Sequence, residues 1–259
     1  MPVIRLGSIP RTVSALRRVA KRRRLGGLPT WRCCPATMAY LCVLVTTYWI
    51  SMRLLPRDEA LRLLLSISTN MNNLAHHPVR SLLGSALFPA PPLLSVSGVL
   101  TVGVGIAGCL GLVERVYGRW RAVGLAAAGH LGATCLTVPV VLFGVSSHRY
   151  DTAELHTFDF GVSYVAVAAM AAIVHRLPRV VRPLWLLSGV GYLLSDADWY
   201  GWLPDFTTIG HLCAVAIGLG ASRGLRRIDR PGNEARSART GEALGPGFPR
   251  DDVELERID

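Results

Sequence analysis

The chain has 259 residues, of which 51% are hydrophobic and only 17% are charged. Two long stretches, residues 93–113 and 122–143, contain no acidic or basic side chain apart from His130. Each is close to the ~20 residues with which a helix crosses the hydrocarbon core of a bilayer. A surface helix of a soluble protein would carry a charged or polar face, which these stretches lack. The composition therefore excludes a soluble domain and predicts an all-α, polytopic membrane protein.

The net charge of +11 is concentrated at the amino terminus, where residues 1–32 contain nine Lys or Arg and no acidic residue. Beside a membrane span, such a basic arm is typical of a topology signal that can also contact anionic lipid. The expected partner of this arm is therefore the lipid bilayer, and nucleic acid is not an expected partner.

In chain order, a basic cytoplasmic tail (1–35), with a short amphipathic helix around Val13–Val19, precedes the first predicted span. Residues 56–92 combine leucines at helical spacing with a cluster of Asn and His, which predicts a partly embedded segment at the membrane interface. Beyond Arg223 the composition predicts a disordered cytoplasmic tail, 223–259. The transmembrane domain between the tails, 36–222, is predicted to contain six spans, at about 36–54, 93–113, 122–143, 159–174, 183–194 and 207–222.

The distribution of arginines predicts the orientation of these spans, because cytoplasmic loops carry an excess of basic residues. If the amino terminus is cytoplasmic, the second and third cytoplasmic segments are 114–121 and 175–182, each with three arginines. The outer loop 195–205 has no Lys or Arg, and the outer loop 144–157 has only Arg149. The arginines of the first outer loop are the exception. We therefore predict a multi-pass protein of the cell membrane with a cytoplasmic amino terminus.

Ionisable and nucleophilic side chains inside spans are rare, so each is a candidate functional residue. Ser163 and His211 each lie about four residues into a span that enters from the outer face, so both are predicted roughly 6 Å below their helix starts. A hydroxyl nucleophile and its general base must share a depth in this way. The alternative is that both side chains make only structural hydrogen bonds between helices.

Four motifs in this order resemble those of the rhomboid family of intramembrane serine proteases. Glu114-Arg115-Val116-Tyr117-Gly118 resembles the Glu-Arg-x-x-Gly inner loop, and Gly161-Val162-Ser163 resembles the Gly-x-Ser of span four. His211, followed by Ala214 and Gly218, resembles the His-x-x-Gly-x-x-x-Gly helix, with Ala in place of the first Gly. Val79-Arg80 resembles the Trp-Arg segment before span two. The resemblance covers about residues 36–222 and implies a six-helix rhomboid-like bundle.

The resemblance implies that Ser163 is the nucleophile and His211 the general base. Two features depart from the family pattern. Tyr164 stands where the family has a second Gly and is expected to crowd the nucleophile. The His-x-x-x-Asn of span two, which helps to form the oxyanion hole, is absent; counting back from Glu114 places Gly98 and Val102 there. Ser95, Ser97 or the backbone amide of Ser163 would have to substitute.

The remaining polar residues are expected to have structural roles. His130 is predicted to be a packed, hydrogen-bonded histidine, with a haem or metal ligand as the alternative. Asp159 and Asp205 are predicted at the amino termini of inward-running helices, where an acid is favourable. The six scattered cysteines are interpreted as small buried hydrophobic residues. No metal and no cofactor is predicted, although His148, Asp151 and His156 share one loop.

Three functions remain at this stage. The first is an intramembrane serine protease that cleaves transmembrane substrates near the outer face. The second is a catalytically inactive rhomboid-like protein that binds the membrane helices of client proteins. The third is a small transporter or channel that uses His130 and the outer acidic residues.

Overall fold

The computed structural model describes residues 29–89 and 93–229. Most of the basic tail, the expected Val13–Val19 helix and residues 230–259 lie outside the described residues. The described part is almost entirely helical. Its helices are α1 (Pro35–Leu54), α2 (Arg57–Ile67), α3 (Met71–His76), α4 (Pro78–Leu87), α5 (Val96–Tyr117), α6 (Arg119–Ser146), α7 (Val162–Arg176), α8 (Val181–Ser195) and α9 (Phe206–Ile228), with a short 3-10 helix, Thr152–His156, between α6 and α7.

Four of these helices, α1, α5, α6 and α9, are long and apolar enough to cross a membrane. The apolar helix α7 is shorter, and α8 has 15 residues. The predicted class, an all-α multi-pass membrane protein, is therefore confirmed, whereas only four of the six predicted spans meet the criteria of length and composition. The helix α9 continues to Ile228, beyond the predicted end of the last span at Ser222.

Two connecting segments form regular secondary structure. The interfacial segment folds into three short helices, α2, α3 and α4, and Asn70 caps α3 by accepting a hydrogen bond from the Asn73 amide. The loop before α9 forms a two-stranded hairpin, β1 (Trp199–Tyr200) with β2 (Leu203–Pro204). Gly201 adopts φ +72° at the first position of its turn, a conformation that favours glycine.

The helix α7 forms the centre of the bundle. It packs most extensively against α9 and then against α5, and its buried side chains are mostly alanine. Small residues face it on the neighbouring helices: a Cβ added at Gly218 of α9 would lie 2.7 Å from the Ala171 Cβ, and Ala214 is completely buried. These small residues let the two helices approach closely.

Polar side chains connect the helices at the basal end of the bundle, which we define as the end where α1 begins and where Tyr117 and His175 lie. Tyr117 Oη donates to Asp229 Oδ2 at 2.6 Å and accepts from Arg176 Nε at 2.8 Å. His175 Nε2 lies 2.7 Å from the same phenol oxygen, and its Nδ1 lies 2.9 Å from Ser222 Oγ. This network joins the ends of α5, α7 and α9.

The Glu-Arg-x-x-Gly segment also lies at the basal end. The buried carboxylate of Glu114 accepts hydrogen bonds from the Ala36 amide at 2.9 Å, and from the Thr37 amide and hydroxyl at 2.7 and 2.6 Å. It therefore caps the amino terminus of α1 from a different helix. Gly118 adopts φ +89° in the turn from α5 to α6, which explains the requirement for glycine there.

Exposed tryptophans mark both ends of the bundle. We define the apical end as the end that holds the hairpin 199–204 and Asp159. Aromatic residues at both membrane boundaries are typical of membrane proteins, because the amphipathic ring lies at the headgroup level. The tryptophans with more than half of their surface exposed are Trp31 and Trp120 towards the basal end and Trp49, Trp199 and Trp202 towards the apical end.

Candidate functional site

A cavity of about 480 Å³ lies between α5, α7, α8 and α9. Ser163 and His211, the two candidate catalytic residues, both line it. Most of the remaining lining is apolar, with Val104, Met170 and Trp185 among its members. An apolar cleft with a few polar groups is the usual form of a ligand site in a helical bundle.

Ser163 occupies the first turn of α7, and its side chain is partly exposed. Its hydroxyl donates a hydrogen bond to the Phe160 carbonyl at 3.1 Å. Within residues 29–89 and 93–229, no hydrogen bond joins Ser163 to His211. Gly161 precedes the helix and packs directly against the His130 ring, where a Cβ would collide with the imidazole. The glycine of the Gly-x-Ser motif therefore sets the position of this turn.

His211 lies in the second turn of α9, with its ring edge-on to that of Tyr164. The ring centroids are 5.1 Å apart and the planes are inclined by 71°. Tyr164 is completely buried between α7 and α9, and its hydroxyl lies over Gly210, where a Cβ would collide with it. Tyr164 does not line the cavity. Its side chain therefore supports His211 and does not crowd Ser163 as the sequence led us to expect.

The wall formed by α5 contributes Ser97 and Thr101 to the cavity. Ser95 instead caps the helix, accepting from the Gly98 amide at 3.1 Å, and its Oγ lies 3.0 Å from Ser97 Oγ. The sequence did not point to Thr101, because the count back from Glu114 assumed regular α-helical turns. The segment Val99–Leu110 is π-helical, with wider turns, so positions within it and before it, Thr101 included, are rotated relative to that count.

The two outer carboxylates have different roles. Asp159 is buried and joins the start of α7 to the α2–α3 junction: its Oδ2 accepts from Thr69 Oγ1 at 2.8 Å, and its amide donates to Ser68 Oγ at 2.9 Å. It does not cap α7, whose amino terminus has no side-chain cap. Among the described residues, Asp159 Oδ1 and the Tyr164 hydroxyl are both buried without a hydrogen-bond partner.

Asp205 caps α9, as the sequence predicts, and also lines the cavity. Its carboxylate accepts from the Thr208 amide at 3.0 Å and from the Thr208 hydroxyl at 2.6 Å, and the Thr207 hydroxyl also donates to it. Burial alone would raise the pKa of Asp205, but these hydrogen bonds outweigh burial and hold the pKa below its ordinary value.

Replacing Asp205 with Ala should lower the free energy of unfolding by about 1–2 kcal/mol, because the cap of α9 is lost. Since the pKa of Asp205 is lowered in the folded protein, this contribution is present above pH ~4, the usual range of an unfolded Asp, and is lost as pH falls through the folded pKa. Unfolding in detergent micelles between pH 7 and pH 3 measures it. Asp196→Ala, in the same loop, is the control, and an equal loss in both variants would contradict the capping role.

His130 is a packed histidine, as predicted. It is 3% exposed, and its Nε2 donates to the Leu82 carbonyl at 2.8 Å. No group of three or more His, Cys, Asp or Glu residues that could hold a metal ion occurs in the described part of the chain. The loop with His148, Asp151 and His156 also lacks such a group.

Comparison with known proteins gives one result. The model of a family described as "Rhomboid-like protein" matches residues 30–230. No curated protein and no solved structure matches the chain significantly.

Proposed function

Because the chain belongs to the rhomboid-like protein family, we propose that it is an intramembrane serine protease that cleaves transmembrane helices near their outer ends. Ser163 is the nucleophile and His211 the general base in this proposal. The observation that carries it is that Ser163, from α7, and His211, from α9, line one cavity between the helices. The residues are 48 positions apart in sequence, so only the fold can bring them to the same cleft.

The lightly packed helix α8 provides the route by which a substrate reaches this cavity in our proposal. It has no buried residue, and it presents Leu184 and Leu187 with about two thirds of their surface exposed. A hydrogen bond from Trp185 Nε1 to the Met170 carbonyl, at 3.1 Å, fixes the first half of α8. The later half can therefore move aside at little cost and admit a helix from the lipid.

The chemical step requires Ser163 to give up its bond to the Phe160 carbonyl and donate to His211 instead. Catalytic hydrogen bonds are often long in the absence of substrate, so this change of partner is compatible with the role. Ser163 attacks the scissile carbonyl while His211 takes its proton. The uncapped amino terminus of α7 leaves first-turn amides free to stabilise the oxyanion, and Ser97 and Thr101 line the same cavity.

Labelling by a fluorophosphonate probe tests the assignment of Ser163. The folded protein in detergent micelles should form a covalent adduct, and Ser163→Ala and His211→Ala should abolish it. Ser188→Ala, at another hydroxyl that lines the cavity, is the matched control and should be labelled normally. Labelling that survives in Ser163→Ala, or a folded wild-type protein that is never labelled, would refute the assignment.

In the protease proposal, the apical end lies outside the cell. All six predicted spans cross the cell membrane, and α7 and α8 are the two shorter spans. The arginines at the ends of α7 and α8 and the basic amino-terminal arm support a cytoplasmic basal end. In intact cells, a membrane-impermeant maleimide should label a cysteine placed at Trp202 but not one placed at Arg179. The reverse pattern would invert the topology.

A second function is favoured by two specific observations. The Ser163 hydroxyl donates its hydrogen bond to a backbone carbonyl and not to His211. In addition, span two lacks the expected oxyanion residues. A catalytically inactive protein that binds client helices in the same cavity would show both features. Such a protein would retain a transmembrane helix in a crosslinking assay but would not react with the fluorophosphonate. The third function, a transporter or channel, has no support from His130, which does not line the cavity.

A further inference from the structure

Two adjacent thiols precede α1 at the basal end, far along the chain from Ser163 and His211. Cys33 Sγ and Cys34 Sγ are 3.2 Å apart. Cys34 is completely buried, and its thiol donates to the Gly111 carbonyl at 3.3 Å. Cys33 is partly exposed. The expectation that every cysteine is a small buried residue is therefore wrong for Cys33 and Cys213, which are partly exposed, and for the exposed Cys42 and Cys135.

Donors converge on the Cys33 sulfur. The Thr30 amide lies 3.4 Å from it, the Thr30 hydroxyl 3.2 Å and Arg115 Nη2 3.5 Å. The dipole of α1, which begins at Pro35, is offset by the Glu114 carboxylate, so the positive charge near the Cys33 sulfur comes from Arg115. Reactive cysteines are found in such electropositive and partly exposed surroundings, because the thiolate is stabilised there.

The surroundings shift the pKa values of the two thiols in opposite directions. The hydrogen bond from the Thr30 hydroxyl, which has the largest effect, together with the contacts with the Cys34 thiol, the Thr30 backbone and Arg115, outweighs burial and lowers the pKa of Cys33 to about 6. Burial, together with the contact with Cys33, raises the pKa of Cys34 to about 11. At neutral pH, Cys33 is therefore mainly a thiolate and Cys34 a thiol. A nucleophilic, accessible thiolate beside a second thiol is the arrangement typical of peroxide-sensing cysteine pairs.

We propose that Cys33 and Cys34 form a peroxide-responsive modification site. The Cys33 thiolate attacks one oxygen of hydrogen peroxide; the O–O bond breaks, an S–O bond forms, and hydroxide leaves, so that two electrons pass from sulfur to peroxide. The Cys34 thiol gives up its proton to the hydroxyl oxygen of the Cys33 sulfenic acid as its sulfur attacks the Cys33 sulfur; the S–O bond breaks, an S–S bond forms, and water leaves. The product is a disulfide between neighbouring residues, which a dithiol reductant reverses.

Oxidation changes the junction between α1 and α5. The disulfide has no proton to donate to the Gly111 carbonyl and no negative charge facing Arg115. Both contacts lie beside the Glu114 cap of α1. The site therefore couples the redox state at the basal end to the anchoring of the first long helix.

The reactivity of Cys33 is tested on the full-length protein in detergent micelles. We expect the rate of alkylation by iodoacetamide, followed at Cys33 by peptide mass spectrometry, to rise with a midpoint near pH 6. Thr30→Val removes the hydroxyl donor, and it should raise the midpoint and slow alkylation at pH 7 several-fold. Thr46→Val, at an exposed threonine within α1, is the matched control and should leave both unchanged. A midpoint at pH 8 or above in the wild type would overturn the proposal.

The pairing is tested with hydrogen peroxide. The peptide that contains Cys33 and Cys34 should lose two hydrogen atoms before any other cysteine peptide is oxidised, and dithiothreitol should restore them. In Cys34→Ser, oxidation should stop at the sulfenic acid of Cys33, which dimedone traps. Oxidation of Cys42 or Cys213 at the same rate as the pair, or no dimedone adduct in folded Cys34→Ser, would refute the peroxide-responsive site.

Discussion

Replacing Gly218 with Ala is expected to destabilise the bundle by about 2–3 kcal/mol, because the added methyl group has no space between α9 and α7. The new Cβ would collide with the Ala168 carbonyl oxygen, and it would lie 3.0 Å from the Ala168 carbonyl carbon and 2.7 Å from the Ala171 Cβ. Two of these three atoms belong to the backbone of the central helix. They can move only if the two helices separate, and separation costs packing along the most extensive interface of the fold.

Gly220 provides a matched control on the same helix. A Cβ at Gly220 would meet no atom within 4 Å, and Ala favours a helix by up to ~1 kcal/mol relative to Gly. Thermal unfolding in the same detergent should therefore show a clear loss of stability for Gly218→Ala and none for Gly220→Ala. Equal melting temperatures for the two variants would mean that α7 and α9 are not in close contact.

Replacing Glu114 with Ala is expected to lower the free energy of unfolding by about 3 kcal/mol. Glu114 is 3% exposed, and its two carboxylate oxygens accept from two backbone amides and one hydroxyl at the start of α1. Removal of the carboxylate leaves these donors unpaired in a buried site, where each unpaired group is costly. Glu114→Gln retains one acceptor oxygen and should lose roughly half as much.

The loss of stability should result from removal of the cap and not from removal of a carboxylate as such. Glu59→Ala removes an exposed carboxylate from the first turn of α2 and should change the stability by less than about 0.5 kcal/mol. Unfolding of the three variants in detergent, monitored by circular dichroism, provides the comparison. If Glu114→Ala unfolds like Glu59→Ala, the cap contributes nothing to stability.

The sequence predicted those features that depend on local pattern. Uncharged stretches of sufficient length identified the long helices, because the number of residues that crosses a bilayer follows from the rise per residue. The expected equal depth of Ser163 and His211 is not reproduced along their helices. The helix α7 begins three residues later than predicted, so Ser163 is its second residue, whereas His211 is the sixth residue of α9. Both residues line the same cavity.

Features that depend on the rotation of a helix or on distant residues could not be predicted in this way. The exposure of Thr101 to the cavity results from the π-helical segment Val99–Leu110, which no residue pattern had indicated. The orientation of Tyr164 depends on the absence of a side chain at Gly210. Glu114 was recognised as part of a motif, but its role as a cap on α1 involves residues 77 and 78 positions away.

The lack of any buried residue in α8 has a consequence for the stability of the bundle. Segments with few buried contacts open at a free energy well below that of global unfolding. In hydrogen–deuterium exchange within a lipid nanodisc, the amides of Val181–Ser195 should therefore exchange as a separate cooperative unit, faster than those of α7. Uniform protection of the two helices would show that the protein opens only as a whole.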